Sequence, residues 1–400
     1  MILPKKYMKA SLLVMLVLMF SVIAAACGDT KIETVDVIRE ITKEVPVEVI
    51  KEVEKIVEVE KIVEVEKIVE TVREVEKIVE VEKIVEVMAQ RDKRELVFAG
   101  LNWDSALVQN GVARYIVEHG YGYPTTQIEG GTIPLFQGLR KGDIDITMEI
   151  WLPNQNAAWN EATKDGQVFS VGRSLEDNWQ STFIIPGYIA DANPGLVSVQ
   201  DLKKDEYKSL FTEPDSGGKA VLIGCIASWS CRAVNEGQIV AYGLSDHIEL
   251  RDPGTAGSLA AAIEGAFKKE EALLFYYWGP TKLAFDHDFR RLEQPDPSTC
   301  ANNDPVNGCE FPAANILIAM NTDLYADAPE LIAFFKNWDW SAGNQLAADG
   351  WYGDNKDDYD SSEEAYSATG VCYLKNNNAW KTWVPADILA NVEAALANES

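Results

Sequence analysis

The sequence predicts an α/β domain with largely parallel sheets over residues 96–400, carried behind an apolar leader and a low-complexity repeat. Three observations lead there. Short apolar runs of strand length alternate with helical patterns through the final 305 residues. Of the 11 Trp, 14 Tyr and 13 Phe, all but Tyr7 and Phe20 fall in that stretch, so only it has the composition to build a core. Residues 28–95 instead cycle through one hexad and contain no aromatic side chain.

The leader comes first. Lys5, Lys6 and Lys9 precede an apolar run from Ala10 to Ala26 that only Ser11 and Ser21 interrupt. That pattern is an export signal, and the run is at the short limit for spanning a bilayer. Ala24-Ala25-Ala26-Cys27 resembles a bacterial lipoprotein processing site. The resemblance implies cleavage after residue 26, a lipidated Cys27 and a chain anchored outside the cytoplasm; simple secretion and a retained anchor are the alternatives. Residues 27–95 form a stalk-like segment, with Val-Glu-Lys-Ile-Val-Glu running three times from Val53 to Glu70 and twice from Val75 to Glu86. On an α-helix a six-residue period carries its apolar positions around the cylinder and leaves no steady seam. The Val and Ile content leans towards an extended chain, although the Glu–Lys spacing also supports some helix.

Within the domain, Leu96–Gly100 reads as a strand and Asn102-Trp103-Asp104-Ser105 as the loop after it. A helix follows with Leu107, Val108, Val112, Tyr115 and Ile116 on its apolar face. Ile133–Leu139 is helical, stopped by Gly142. Ile144, Ile146, Met148 and Ile150 alternate with Asp145, Thr147 and Glu149, the pattern of a half-buried strand, which ends at Trp151. Ala220–Gly224 leads into Cys225–Cys231 and a helix with Val234, Ile239 and Val240. Leu273–Tyr277 leads into Trp278-Gly279-Pro280.

Several function classes drop out. The net charge is −27, and residues 96–400 hold 43 acids against 20 bases, so the basic footprint for nucleic acid is missing. His119, His247 and His287 lie far apart, and no nucleophile–base pairing is visible, which argues against an enzyme. Gly217-Gly218-Lys219 lacks the rest of a phosphate loop, and Asp354–Glu364 lacks the alternation of a calcium loop. No metal or cofactor is expected. Cysteines are spaced for an oxidising compartment, with Cys225–Cys231 and Cys300–Cys309 as expected bridges and Cys372 left over.

Trp103, Trp151, Trp229 and Trp278 all fall at or just past strand ends, where open α/β sheets bind ligands. For any single one, plugging a loop base is the alternative. Converging indole faces attract a cation that cannot donate hydrogen bonds, such as trimethylammonium, at about 0.5–2 kcal/mol per contact. Trp151-Leu152-Pro153, Gly224-Cys225 through Trp229-Ser230-Cys231, and Phe275-Tyr276-Tyr277-Trp278-Gly279-Pro280 resemble, in this order, motifs of one family. It is the substrate-binding proteins of ABC importers for glycine betaine, proline betaine and choline.

That resemblance runs from Leu96 to near the C-terminus. It implies a two-lobed, periplasmic-binding-protein-like fold (type II) with a hinge. Lobe one is expected at about 96–188 plus 314–400 and lobe two at about 189–313. Trp151, Trp229 and Trp278 are expected to box the quaternary ammonium, with the backbone amides of Ser230 and Cys231 receiving a carboxylate. Gln155 stands where betaine-specific members carry His. Trp103-Asp104 is similar to a first-loop Trp and Asp of choline-binding relatives, with an N-cap as the alternative role of Asp104. Permease and ATPase subunits of a transporter are the implied partners, while a receptor-coupled sensor or a stalked interaction protein are rivals.

Overall fold

The computed structural model describes residues 93–399. The leader, Cys27 and nearly all of the repeat lie outside the described residues. What is described holds two five-stranded sheets, ordered β2-β1-β3-β10-β4 and β7-β6-β8-β5-β9. The strands of the first are β1 (Leu96–Leu101), β2 (Thr125–Gly130), β3 (Ile146–Leu152), β4 (Val168–Arg173) and β10 (Asn315–Asn321). Those of the second are β5 (Trp179–Pro186), β6 (Ala220–Ile223), β7 (Ile248–Arg251), β8 (Leu274–Gly279) and β9 (Phe289–Arg291). The two sheets follow one plan: β1 and β6 each pair in parallel with both neighbours. The fourth place in each goes to a strand reached by crossing from the other lobe, β10 or β5, and it runs antiparallel to its neighbours. The sheets are therefore mixed, where the apolar runs alone indicated largely parallel ones.

Because β5 pairs into the second sheet, the first crossover lies at residues 174–178 and not near 188. The return crossover lies at 312–314, just before β10. Asn178 ties the two strands of the hinge together: its Nδ2 donates to Ala314 O at 2.9 Å, and its Oδ1 accepts from Ala314 N at 2.8 Å.

Among the described residues the helices of eight residues or more are α1 (Asp104–Tyr115), α2 (Thr132–Lys141), α3 (Asn156–Lys164), α4 (Cys231–Ala241), α5 (Ala256–Lys269), α6 (Pro329–Lys336), α7 (Ala342–Asn355), α8 (Ser362–Asn376) and α9 (Ala386–Leu396). None is long and apolar enough to cross a membrane. The α1 and α8 backbones meet at Gly111 and Gly370, where a Cβ on either would collide with the other helix. Helices on both faces change the character of β3. Its Thr147 and Glu149 are as buried as Ile146 and Met148, so the alternation marked two buried faces, one of them polar.

Lobe one also holds a second group of tryptophans. Trp338 packs on Trp383 at 4.5 Å and on Trp340 at 5.7 Å between ring centroids, and Trp340 meets Tyr373 at 4.6 Å. Trp340, Trp380 and Trp383 are among the largest fully buried side chains. Lobe two keeps a smaller apolar core around Phe183, Leu202, Leu222 and Leu274.

Candidate functional site

The carboxyl ends of β1, β3, β6 and β8 face one another across a cavity. Lobe one lines it with Trp103, Thr132, Trp151 and Asn154, and lobe two with Gln180, Trp229, Ser230, Cys231, Tyr276 and Trp278. Trp151 and Trp278 are the next-to-last residues of β3 and β8, while Trp103 and Trp229 stand in the loops after β1 and β6. Trp229 is edge-on to Trp103 and to Trp278, each with centroids at 5.2 Å and planes 76° and 83° apart. Trp278 also stacks on Tyr277, with centroids at 4.6 Å, so the rings brace one another around the cavity.

One carboxylate fixes the lobe-one walls. Glu149 sits two residues before Trp151 on β3, so both project from the same face of the strand. Its Oε2 accepts the indole N–H of Trp103 at 2.8 Å and that of Trp151 at 2.7 Å; its Oε1 accepts Gln109 Nε2 at 2.8 Å. Gln109 is held in turn, its Oε1 accepting from Ser174 Oγ at 2.8 Å and Trp338 Nε1 at 3.2 Å. Complete burial pushes the Glu149 pKa up, and these hydrogen bonds pull it back down. Both oxygens accept N–H donors, and none of those donors carries a charge, so the cavity walls rest on a buried carboxyl with no cation paired to it among the described residues.

Lobe two is fixed differently. The loop carrying Trp229 is closed by the Cys225–Cys231 disulfide, with Cα atoms 5.8 Å apart. Cys225 N donates to Asn235 Oδ1 at 2.7 Å, and Ala227 N donates to Asp252 Oδ2 at 3.0 Å. α4 starts at Cys231, so N–H groups of a helix start line the cavity, where they favour a partial negative charge. The second disulfide, Cys300–Cys309, lies away from the cavity lining, and Cys372 is unbridged.

The lobes are closed on each other. Trp229 Nε1 donates to Asn102 Oδ1 at 2.6 Å, Ile133 N to Ser228 O at 3.1 Å, and Asn154 Nδ2 to Gln180 Oε1 at 2.8 Å. Gly131 permits this approach, because a Cβ there would run into the Ser228 side chain. Lys282 N also donates across to Asp349 Oδ2 at 3.3 Å. Burial, followed by the charge of Asp104, pushes the Asp349 pKa up to about 8.

Trp103, Trp151, Trp229, Trp278, Ser230 and Cys231 thus come together, and two other sequence candidates stand apart. Asp104 is exposed, accepts Tyr366 O–H at 2.7 Å and is absent from the lining. It is no N-cap either: Trp103 holds that position, and Asp104 sits in the first helical turn, where its charge still complements the helix dipole. Gln155 is buried against a separate space of about 200 Å³ behind the cage, beside Glu149 and Thr132. Sequence reading missed Glu149, taken there for the polar face of a strand; its spacing of two from Trp151 was the available signal. It also missed Asn154, Gln180 and Tyr276, whose placement depends on how β5 pairs.

Residues 94–368 match the family OpuAC, described as the substrate binding domain of ABC-type glycine betaine transport system. The trimethylamine N-oxide-binding protein of Pelagibacter ubique is 25% identical over 291 residues, 67% of this chain and 90% of that protein. The glycine betaine-binding periplasmic protein OusX of Dickeya dadantii is 26% identical over 149 residues, 36% of this chain and 42% of that protein. Two solved structures share the fold. The glycine betaine, L-proline ABC transporter binding protein ProX of Borrelia burgdorferi has a TM-score of 0.60 at 20% identity, covering 74% of this chain and 99% of that one. An ABC-transporter choline binding protein in complex with choline has a TM-score of 0.59 at 19% identity, covering 76% and 98%. The match extends over both lobes and every wall of the cage, and the chain belongs to the family of substrate-binding domains of ABC-type glycine betaine transport systems.

Proposed function

We propose that this protein captures a trimethylated quaternary amine in the Trp103–Trp151–Trp229–Trp278 cage and delivers it unaltered to the permease and ATPase subunits of an ABC importer. One observation carries the reading. Four indoles line a cavity with no charged side chain in its lining, and two of them donate their N–H groups to the buried carboxyl of Glu149. A ligand cation on the indole faces would favour the ionised form of that carboxyl and be favoured by it in turn. A primary ammonium is a poorer fit, because its N–H groups would lose water and meet ring faces instead of acceptors. Closing the lobes removes the cation from water and presents the closed surface to the transporter. The lining holds no nucleophile paired with a base, so the protein acts by binding and release.

Titration of the full chain with glycine betaine, proline betaine, choline and trimethylamine N-oxide, followed by Trp fluorescence and calorimetry, tests the reading. Saturable binding of at least one is expected, and silence to all four overturns it. The leader and repeat support a lipid anchor at Cys27 on a stalk. Cys27→Ser is expected to release the protein from the membrane fraction, and an unchanged distribution between membrane and soluble fractions counts against the anchor.

A further inference from the structure

The cage has a polar corner that the tryptophans leave unexplained. Gln180 on β5 is directly opposite Trp278 on β8 in the antiparallel register, so the two side chains lie side by side on one face of the sheet and line the same cavity. Gln180 Oε1 takes two donors, Tyr276 O–H at 3.0 Å and Asn154 Nδ2 at 2.8 Å. Turning Gln180 alone would place its NH2 against the NH2 of Asn154, so the two amides are fixed relative to each other, and turning both only exchanges their roles. Either way one amide donor and one amide acceptor stay unpaired, here Gln180 Nε2 and Asn154 Oδ1, both buried. Gln180 is 2% exposed, and the two residues come from opposite lobes.

Buried polar atoms of this kind need partners, and both residues line the ligand cavity. A carboxylate or N-oxide oxygen accepts only: it satisfies Gln180 and leaves Asn154 Oδ1 facing another acceptor. A hydroxyl accepts and donates, so it satisfies both atoms at once. The N–H groups at Ser230 and Cys231 do not separate these ligands, since either kind of oxygen accepts from them. We propose that the Asn154–Gln180 amide pair reads a hydroxyl group on the ligand, making a trimethylammonium alcohol the preferred class. This rests on the cage reading above and adds the specificity to it. Because the pair is made only when the lobes meet, the hydroxyl is read in the closed form.

The test is a cycle in which the hydroxyl is removed from the ligand and the amides from the protein. Binding of choline, tetramethylammonium, glycine betaine and trimethylamine N-oxide to the full chain is measured for the wild type, Gln180→Met and Asn154→Leu. For the wild type, choline is expected to bind at least tenfold tighter than tetramethylammonium and tighter than either zwitterion. In each variant the choline advantage should shrink towards one, over and above a loss common to both ligands from the broken bond between the lobes. A variant that merely damages the fold weakens both ligands together, and the ratio is preserved. Should a variant not fold, the Gln180 side-chain amide resonance of the wild type gives the same answer, shifting with choline and not with tetramethylammonium. Zwitterions binding more tightly than choline, or a choline advantage that survives both substitutions, overturns the inference and leaves the cage intact. Failure of all four ligands overturns the cage itself.

Discussion

Two groups of tryptophans in this protein are both buried and are arranged in opposite ways. Trp338, Trp340 and Trp383 pack on one another and on Tyr373, and the N–H groups of Trp338, Trp340 and Trp380 go to neutral oxygens of Gln109, Gln345 and Leu374. Trp103, Trp151, Trp229 and Trp278 are 4–7% exposed, yet they stand edge to face around empty space, and two of their N–H groups share one carboxylate oxygen. Burial therefore does not separate a tryptophan that packs from one that lines a cavity. What sets the second group apart is that its rings border open space and that two of its N–H groups go to one carboxyl. Gln109 links the groups through Glu149: it accepts from Trp338 and donates to the carboxyl that holds Trp103 and Trp151.

The sharpest way to break the comparison is to remove one ring from each group. Trp340→Ala should cost about 3–5 kcal/mol of stability, the usual range for a buried aromatic, and lower the unfolding midpoint with or without ligand. Trp151→Ala opens onto a cavity that already exists, so its main effect should fall on ligand affinity, a loss of at least tenfold by calorimetry. If Trp151→Ala destabilises the free protein as much as Trp340→Ala does, the distinction between the groups fails.

Glu149 offers a finer cut. Glu149→Gln keeps the shape but removes the charge, and it offers at most one acceptor oxygen where two served three donors. Hydrogen bonds to charged groups contribute about 1.5–3 kcal/mol, so two loosened indoles should weaken quaternary amine binding by roughly tenfold or more. Trp151→Phe, which keeps a ring and loses only the N–H, should fall between that variant and the wild type.

The sequence made the walls visible and the scaffold behind them obscure, for physical reasons. Trp103, Trp151, Trp229 and Trp278 announce themselves because large aromatics at the ends of apolar runs are unusual for a core strand. Glu149 was hidden because a strand covered on both faces shows the same alternation as one with a wet face; only its neighbours tell the two apart. Gln180 and Asn154 meet through the pairing of β5 with β8, a long-range register that no local pattern encodes. The same pairing moved the lobe boundary, since β5 follows lobe one in sequence and belongs to lobe two in space. Asp104 had the right local signal for a cap or a ligand contact, and Tyr366, 262 positions away, claimed its oxygen.

Asp349 gives the comparison a pH dependence. It lies on α7 in lobe one, nearly buried, and accepts Lys282 N from lobe two and Gln345 Nε2 from its own helix, with the carboxylates of Asp104 and Glu149 opposing its ionisation. In the unfolded chain its pKa is about 4, against about 8 when folded. Below pH 4 the group is protonated in both states and makes no difference. Between pH 4 and 8 only the unfolded chain releases the proton, so the contribution to stability declines as pH rises and then levels off above 8. Asp349→Asn should flatten that decline. The measurement is the difference in urea midpoint between variant and wild type from pH 4 to 9, expected to grow in favour of the variant.

The smallest effect is expected at the hinge, where it separates closure from cage chemistry. Asn178→Ala removes both side-chain bonds to Ala314, in the crossovers and away from every cage ring. Each such bond contributes about 0.5–1.5 kcal/mol net. The variant should therefore shift the open–closed balance and change affinity for all quaternary amines by a common factor of a few. Selectivity among ligands depends on the cage and its polar corner and should not move. Small-angle scattering with and without ligand reports the balance, and calorimetry on two ligands reports the ratio. A changed ratio would mean that Asn178 reaches the cage after all, and that hinge and cage are one mechanical unit.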